Sequence, residues 1–522
     1  MPRDQLVLIP KSLEDVIAED HPVRLIDEIL SRLDWSGWES EYHGSVGQPP
    51  IHPSIMSKVL LFALIRRIRS SRQIEYNVRH SYDFIWLTSG RTIDHSTLSK
   101  FRKRYKKQLK NIYRQLLQYA IDLDLAKLSE LMIDGTRVLA NASRHHTLTA
   151  PRVRKLLEEL ERQFAAAMRE IDENDEIEDL ADIGDRADKL PIELRDVHTR
   201  HQMLTEIKKQ LEEMDARRKK EGIDPKKNPA QLALADLDSD IVPNKDGGYA
   251  PNYTPLAVTE TQNGFIVLPE VPGDSVEHTH MVTMLDAIQE DYEVEVERVL
   301  GDGIYSTGTN LAAMEDRGIE LLSPVKQEEL EDNPAIREDL TQPVPDEKLD
   351  ALPINKQTKC FGKQAFVYVE LEDCYYCPAG EVLPREGSEK QYRRSGEVIE
   401  RVNYRGRGCG GCSLAPRCRT NPDAKGGRKV SRDVYEETRK RHRERMAQPE
   451  AKEQYKKRQH FGETQFAVLK TVLDMRRFLL RGREGVGQEW TWACMAFNVK
   501  KIMSLIGTAC AQQNEIAAID AS

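Results

Sequence analysis

The stretch Leu131-Met-Ile-Asp-Gly-Thr-Arg-Val-Leu-Ala140 places one carboxylate at the end of an apolar run. The apolar residues before Asp134 predict a buried strand, and the Asp-Gly pair predicts a turn, because glycine adopts backbone shapes that side chains forbid. A carboxylate at a strand end suits a rigid metal ligand. It is also an ordinary way to end a strand, so this stretch alone favours the structural interpretation, and a metal site requires further carboxylates elsewhere.

The bulk composition limits the classes of protein to consider. A chain of 522 residues is too long for one core and predicts several domains. The net charge of −9 argues against a uniformly basic surface, although a local basic face is still compatible with DNA binding. No apolar run is long enough to span a membrane, and the N-terminus lacks a signal pattern, so we expect a cytoplasmic protein with no membrane partner.

Residues 1–123 have helical periodicity throughout and predict an N-terminal DNA-binding domain. In the segment 94–107, Ser96 or Thr97 is the expected N-cap, and apolar residues recur at helical spacing. The opposite face is cationic, with Lys100, Arg102, Lys103 and Arg104 as candidate DNA contacts. Short helices ending in such a face resemble a helix-turn-helix reader, but composition favours an ordinary solvated face about equally.

The middle of the chain changes its period twice. Residues 150–223 predict two long helices in an antiparallel hairpin with its bend near 183–190, and residues 224–250 predict a linker or surface loop. From 252 the period becomes two, with a hairpin signal at Asn263-Gly264. A later strand ends in Asp302-Gly303, and helices separate it from its neighbours, so we expect a mixed sheet with crossover helices.

A third candidate carboxylate lies on a predicted helix near the C-terminus. Glu463 stands seven residues before Lys470, about two helical turns, and Arg458 precedes it by a little over one turn. Two aspartates at strand ends and one glutamate are the oxygen ligands that Mg²⁺ prefers, and flanking cations suit phosphates. For Glu463 alone, a surface salt-bridge ladder is the more common explanation.

Taken together, these motifs resemble those of DDE transposases. The resemblance rests on Met132-Ile-Asp-Gly-Thr136, on Gly301-Asp-Gly-Ile-Tyr305, and on the array of Arg458, Glu463 and Lys470, with supporting similarity in 94–102 and 477–498. It is to bacterial insertion-sequence enzymes of the IS1182 type, related to the IS4 and IS5 groups. The chain departs from the usual pattern in having Gly462 directly before the glutamate.

The resemblance implies an α/β (α+β) fold with an RNase H-like mixed-sheet core. Asp134, Asp302 and Glu463 would bind two Mg²⁺ (or Mn²⁺) ions, and Arg458, Lys470, Arg477 and Arg481 would contact DNA. The implied activity is binding of terminal inverted repeats, followed by hydrolysis at the transposon ends and strand transfer into target DNA. The implied partner is double-stranded DNA, with a homodimer forming on paired ends.

Five of the eight cysteines fall between Cys374 and Cys418, which in a cytosolic chain suggests metal before disulfide. Cys374-x₂-Cys377 and Cys409-x₂-Cys412 have zinc-ribbon spacing, and buried thiols in a small lobe are the alternative. The spacing leaves open which four residues would bind Zn²⁺. The resemblance implies Cys377, Cys409, Cys412 and Cys418.

The predicted organisation follows from these assignments. Its parts are the N-terminal helical domain (1–123), the first part of the core (124–149), the helical-hairpin insertion and linker (150–250), the core continued (251–326), the insertion with the Cys-rich zinc-ribbon-like module (327–432), and the C-terminal helical part that carries Glu463 (433–515). Two other functions fit the same residues: a non-catalytic DNA-binding protein derived from a transposase, and a simple metal-dependent nuclease. Retention of all three carboxylates favours the enzyme.

Overall fold

The structure is a computed structural model of the whole chain. It describes residues 12–40, 50–172, 192–220, 223–243, 247–325, 333–355, 357–392, 398–422, 424 and 426–520, with the side chains of 164, 166–172, 192–198, 220, 463 and 509–520 excepted. The chain divides into two compact units. The first unit holds residues 1–296 and 458–522, and the second holds 297–457.

The N-terminal part of the first unit is helical wherever it is described, as the periodicity predicts. The helices are α1 (Leu13–Val16), α2 (Pro22–Ser31), α3 (Ser36–Glu39), α4 (Pro53–Ile65), α5 (Ser71–His80), α6 (Tyr82–Leu87), α7 (His95–Arg104) and α8 (Lys106–Asp122). Proline at the first position starts α2 and α4, where its missing N–H costs nothing. Helix α4 is buried along most of its length.

The basic helix α7 begins two or three residues earlier than the sequence predicts. The N-cap is Asp94, whose carboxylate accepts the N–H groups of Ser96 and Thr97. Both hydroxyl residues therefore lie inside the helix, because an ionised carboxylate satisfies two orphan donors at once. The helix ends at Tyr105, and the basic run continues into α8 as a separate helix.

The rest of the first unit up to residue 296 contains three sheets and the helical hairpin. Its elements are β1 (Glu130–Gly135), β2 (Val138–Leu139), β3 (Thr147–Leu148), α9 (Ala150–Asp172), α10 (Ile192–Lys220), β4 (Leu232–Ala233), β5 (Asp240–Pro243), β6 (Tyr249–Tyr253), β7 (Leu256–Glu260), β8 (Ile266–Glu270) and α11 (Met281–Tyr292). Strands β1, β7 and β8 pair antiparallel, with Asp134 opposite Ala257. Strand β1 therefore pairs with a strand more than a hundred residues further along the chain.

Helices α9 and α10 pack together through a core of their own, with Val153, Ile207 and Leu211 fully buried. The predicted bend at 183–190 lies outside the described residues. The segment 224–250, predicted as a linker or surface loop, instead contains β4 and β5 and the start of β6. These strands pair with β3 and with one another, so long-range hydrogen bonds order a polar segment that lacks a strand pattern.

The second unit also mixes strands and helices. Its elements are β9 (Arg298–Leu300), α12 (Gly308–Asp316), β10 (Glu320–Leu322), β11 (Val367–Val369), β12 (Cys374–Tyr376), β13 (Val382–Tyr392), β14 (Val398–Arg405), α13 (Ala415–Cys418), β15 (Lys429–Asp433) and α14 (Glu436–Ala447). Strands β9 and β10 are parallel, and β11 to β15 form an antiparallel sheet in chain order. The prediction of a mixed α/β chain is confirmed.

Two long helices end the chain, α15 (Pro449–Thr471) and α16 (Arg483–Asp520). Most residues of helix α16 between Val486 and Val499 are buried. This helix contacts α4, α8 and β8. Within the described residues, no helix combines the length and the apolar character needed to span a bilayer.

Candidate active site and nucleic-acid interface

Strand β1 delivers Asp134 to the surface of the first unit, as its apolar run predicts. Leu131, Met132 and Ile133 are buried, and the side chain of Asp134 is 15% exposed. The Asp134 carboxylate accepts the N–H of Gly135 at 2.9 Å, which fixes its rotamer. A Cβ at Gly135 would occupy the place of the Glu277 carboxylate, so glycine at this position leaves room for the Glu277 side chain.

Helix α15 lies against the end of β1. The guanidinium of Arg458 is 3.2 Å from Asp134 Oδ2, and the Arg458 side chain is 23% exposed. One turn later, a Cβ at Gly462 would lie 3.3 Å from the same oxygen and 3.4 Å from Met132 Sδ. The absence of a side chain at Gly462 therefore allows the helix to approach Asp134 closely, which gives the departure from the family pattern a physical reason.

The same helix makes a second contact with the segment that follows β1. Lys470 Nζ donates to Thr136 Oγ1 at 2.5 Å. Arg458 and Lys470 stand about three helical turns apart on α15. Their partners, Asp134 and Thr136, are only two positions apart in the chain. Glu463 lies between Arg458 and Lys470 on the helix, and its side chain lies outside the described set.

Asp302 belongs to the second unit, where it follows β9. Its carboxylate accepts the N–H of Ile304 at 2.9 Å, and its carbonyl accepts the hydroxyl of Ser323 at 2.5 Å. These bonds hold the turn that the Asp-Gly pair predicts. Across the side chains that the structure describes, no group of three or more His, Cys, Asp or Glu residues has the arrangement of a metal site.

The cysteines of the second unit separate into two environments. Cys377, Cys409, Cys412 and Cys418 line one small cavity, whereas Cys374 is buried on β12 with its thiol 3.4 Å from Glu372. Burial raises the pKa of Cys374, and also that of Cys418, to about 11. The structure therefore brings together the four cysteines that the resemblance implies and leaves Cys374 apart.

The candidate DNA contacts on α7 are not equivalent. Lys100, Lys103 and Arg104 are exposed. Arg102 instead donates to the carbonyl of Arg69 at 2.9 Å and to Ser71 at 3.1 Å, and burial lowers its pKa. Arg102 therefore connects α7 to the N-terminus of α5.

Arg477 and Arg481 lie on the loop between α15 and α16, and both are exposed. They line a cleft of about 570 Å³ together with Asn141 and Arg144. Asn141 links the two sides, because its amide donates to Leu479 O at 2.7 Å and its carbonyl accepts Arg481 Nε at 3.0 Å. No sequence pattern identifies Arg144 as part of this cleft, because it is the pairing of β2 with the loop that brings Arg144 there.

Comparison with known proteins bears on the family. Residues 11–104 match the model of a transposase domain, DUF772, and residues 376–503 match the model of a transposase DDE domain. Two segments of the chain thus match transposase domains, and one of them matches a DDE domain. This confirms the resemblance, and the two matches are consistent with the IS1182 type. The second match contains Arg458, Glu463 and Lys470, while Asp134 and Asp302 lie outside both.

Among solved structures, the piggyBac transposase synaptic complex with hairpin DNA is 11% identical, with a TM-score of 0.33. The alignment covers 94% of this chain and 75% of that one. No curated protein sequence matches the chain.

Proposed function

We propose that this transposase binds the terminal inverted repeats of an insertion sequence and catalyses metal-dependent DNA strand cleavage and strand transfer. The observation that carries the proposal is the pair of contacts from α15 to the first acidic motif, Arg458 to Asp134 and Lys470 to Thr136. They bring the helix of Glu463 to the strand end of Asp134, although the two motifs are over 300 residues apart.

The chemical type of Asp134 is what supports a divalent cation, because hard cations such as Mg²⁺ or Mn²⁺ prefer carboxylate oxygens. In the described structure this carboxylate pairs with Arg458 at 3.2 Å, so a metal ion would share it with the guanidinium or displace it. We assign Asp134, Asp302 and Glu463 as the residues that would hold two ions. Bound there, the ions would activate water or a 3′-hydroxyl and stabilise the leaving oxygen at phosphorus.

The remaining residues of the site would position DNA and the carboxylates. Arg458 orients Asp134, and its guanidinium also has the fork geometry that binds a phosphate oxygen. Lys470 holds Thr136 and supplies a second positive charge on the same helix face. Arg477 and Arg481 would extend this positive surface along the duplex, together with Lys100, Lys103 and Arg104 of α7.

The decisive experiment uses DNA that carries the terminal inverted repeats of the element, with Mg²⁺ or Mn²⁺. We expect cleavage and strand joining by the wild-type protein, and loss of both in Asp134→Asn, Asp302→Asn and Glu463→Gln. Cleavage without joining would favour a simple nuclease, and specific binding without cleavage would favour a non-catalytic DNA-binding protein. Activity that survives Asp302→Asn would overturn the site assignment.

We also propose a structural Zn²⁺ in the second unit, held by Cys377, Cys409, Cys412 and Cys418. The supporting observation is that these four side chains line one cavity. Among the described side chains these thiols do not form a metal-ligand group, so zinc binding would require them to move closer together. Zinc would stabilise this lobe, which has its own core but no disulfide among its described cysteines.

A homodimer on paired ends completes the proposal. Light scattering of the protein with and without end DNA would test it, and we expect the mass of two chains when DNA is bound. A complex that stays at one chain per DNA end under conditions that support joining would contradict it.

A further inference from the structure

The loop that connects α15 to α16 is held by a buried ion pair. Arg69 Nη2 lies 2.8 Å from Glu489 Oε1, and their side chains are only 8% and 6% exposed. Arg69 comes from the turn after α4, and Glu489 from the second turn of α16. Taking two such charges out of water costs free energy that their mutual attraction seldom exceeds, so the ion pair by itself is weak evidence of stabilisation.

What distinguishes this pair is that both partners also bind the backbone of the loop. Arg69 donates to the carbonyl of Arg477 at 2.6 Å and to that of Asp474. The second oxygen of Glu489 accepts the N–H groups of Leu479 and Leu480, each at 2.9 Å. The Arg69 guanidinium thus donates to backbone carbonyls of the loop, and the Glu489 carboxylate accepts from backbone N–H groups of the loop. Together they fix the backbone of residues 474–480.

Further contacts restrict the two ends of the loop. Arg67 donates to Val472 O at 2.9 Å, and Asp238 accepts the N–H of Arg483 at 2.8 Å. In the middle, the N–H of Phe478 donates to Leu139 O at 2.9 Å, which joins the loop to β2. Few of its backbone groups are therefore left to water, which is unusual for a connection between two helices.

The side chains of the loop divide by direction. Met475, Phe478 and Leu480 are buried, while Arg476, Arg477 and Arg481 are exposed. The exposed side borders two adjoining clefts of about 570 and 650 Å³, which share Asn141 and Arg481. Other cations on their walls are Lys103, Arg144 and Arg483. The carboxylates on these walls are Asp238, which accepts a loop N–H, and the exposed Glu484. The five lysine and arginine side chains outnumber these two acids, so the face is cationic on balance.

We propose that Arg69 and Glu489 are positioning residues that fix the 474–480 loop so that Arg477 and Arg481 face the phosphates of bound DNA. This inference rests on the proposed function for the identity of the ligand. Preorganisation is the physical gain: an arginine on a fixed backbone loses less conformational entropy on binding phosphate than one on a mobile loop. It also couples the loop to the N-terminal helices, since Arg102 of α7 donates to the carbonyl of Arg69.

The test separates positioning from stability with the double variant Arg69→Met/Glu489→Leu. Replacing both charges by apolar groups avoids leaving one buried and unpaired, so we expect an unfolding temperature within a few degrees of wild type. The amides of Leu479 and Leu480 lose their acceptor, and we expect their hydrogen exchange to accelerate about tenfold or more. Glu489→Gln keeps one acceptor and should give an intermediate rate. Arg32→Met, which breaks the exposed pair with Glu28, is the control.

The second readout is binding to a 30-base-pair duplex of mixed sequence over a range of salt concentrations. We expect the slope of log affinity against log salt to fall by about one to two units in the double variant, as in Arg477→Ala/Arg481→Ala, because about that many phosphate contacts are lost. Combining all four substitutions should change the salt slope little more than either pair alone, because both pairs act on the same phosphate contacts. Unchanged amide exchange would overturn the positioning role, and faster exchange with an unchanged salt slope would overturn the link to DNA.

These results are independent of the proposed chemistry. Amide exchange needs no DNA, and the salt slope needs no cleavage. A wild-type protein that binds the duplex but fails to cut end DNA would therefore contradict the catalytic proposal and leave this one standing.

Discussion

The guanidinium of Arg458 lies 3.2 Å from Oδ2 of Asp134, and the two residues are 324 positions apart in the chain. This contact ties the strand that begins the first acidic motif to the helix that carries the last one. It also identifies Arg458 as a residue that acts on the carboxylate itself, in addition to any contact with DNA. The first prediction follows from it.

Arg458→Ala should slow strand cleavage by roughly 10- to 100-fold at saturating Mg²⁺, the effect of losing a charged hydrogen bond of about 1.5–3 kcal/mol in the transition state. Single-turnover cleavage of end DNA measures it. Lys456→Ala is the matched control, because Lys456 is exposed on the same helix and its ion pair is with Glu453 at the surface. Equal losses in the two variants would show that the general charge of the helix matters and the contact with Asp134 does not.

Gly462→Ala should separate activity from stability. Alanine favours the helix by about 1 kcal/mol over glycine, but its Cβ would press on Asp134 Oδ2 at 3.3 Å. We expect the free energy of unfolding to change by less than about 1 kcal/mol while cleavage falls several-fold. Denaturant titration and cleavage rates measure the two effects.

Gly487→Ala is the control for that variant, since Gly487 is also inside a helix and has open space around its Cβ position. It should stabilise the protein by up to about 1 kcal/mol with unchanged activity. If Gly462→Ala were equally stabilising and fully active, the close approach of α15 to Asp134 would have no role in the reaction.

The cap of the basic helix α7 predicts a pH dependence. Hydrogen bonds from Ser96 and Thr97 hold the pKa of Asp94 well below its usual range. A depressed pKa contributes stability that is present above the unfolded value, near 4, and is lost as the pH falls through the folded one. Asp94→Asn keeps a capping acceptor but does not titrate.

Wild type should therefore exceed Asp94→Asn in unfolding temperature at pH 7, and the difference should shrink as the pH falls from about 4 to 2. Circular dichroism melts of the two proteins over this range are sufficient. A difference that is constant with pH would mean that the charge on Asp94 does not contribute.

The cysteine environments predict which substitutions release zinc. Cys412→Ser should lower the zinc content of purified protein to well below one ion per chain and destabilise the lobe, because a hydroxyl is a poor zinc ligand. Cys374→Ser should retain the zinc, because Cys374 faces Glu372 and not the shared cavity. Elemental analysis decides the matter, and equal zinc in all variants, or none in wild type, would contradict the assignment.

Local chemistry determined much of this protein. The apolar run before Asp134 is enough to predict β1, and the Asp-Gly pairs predict the turns at 134 and 302, because strand burial and glycine turns depend on neighbours in sequence. The periodicity of residues 12–122 and of the hairpin likewise predicts their helices. The order of the acidic motifs, together with the patterns at the two ends of the chain, was sufficient to recognise the resemblance to the transposase family.

Only the tertiary structure decided the rest. The short strands β4 and β5 exist because β3 and β6 offer them hydrogen bonds, and no local pattern marks them. Arg102 looks like its basic neighbours in sequence, yet it is drawn inward by the carbonyl of Arg69. The pair of Arg69 and Glu489 joins residues 420 positions apart. Such contacts depend on the path of the whole chain, since a buried charge must find its partner wherever folding places it.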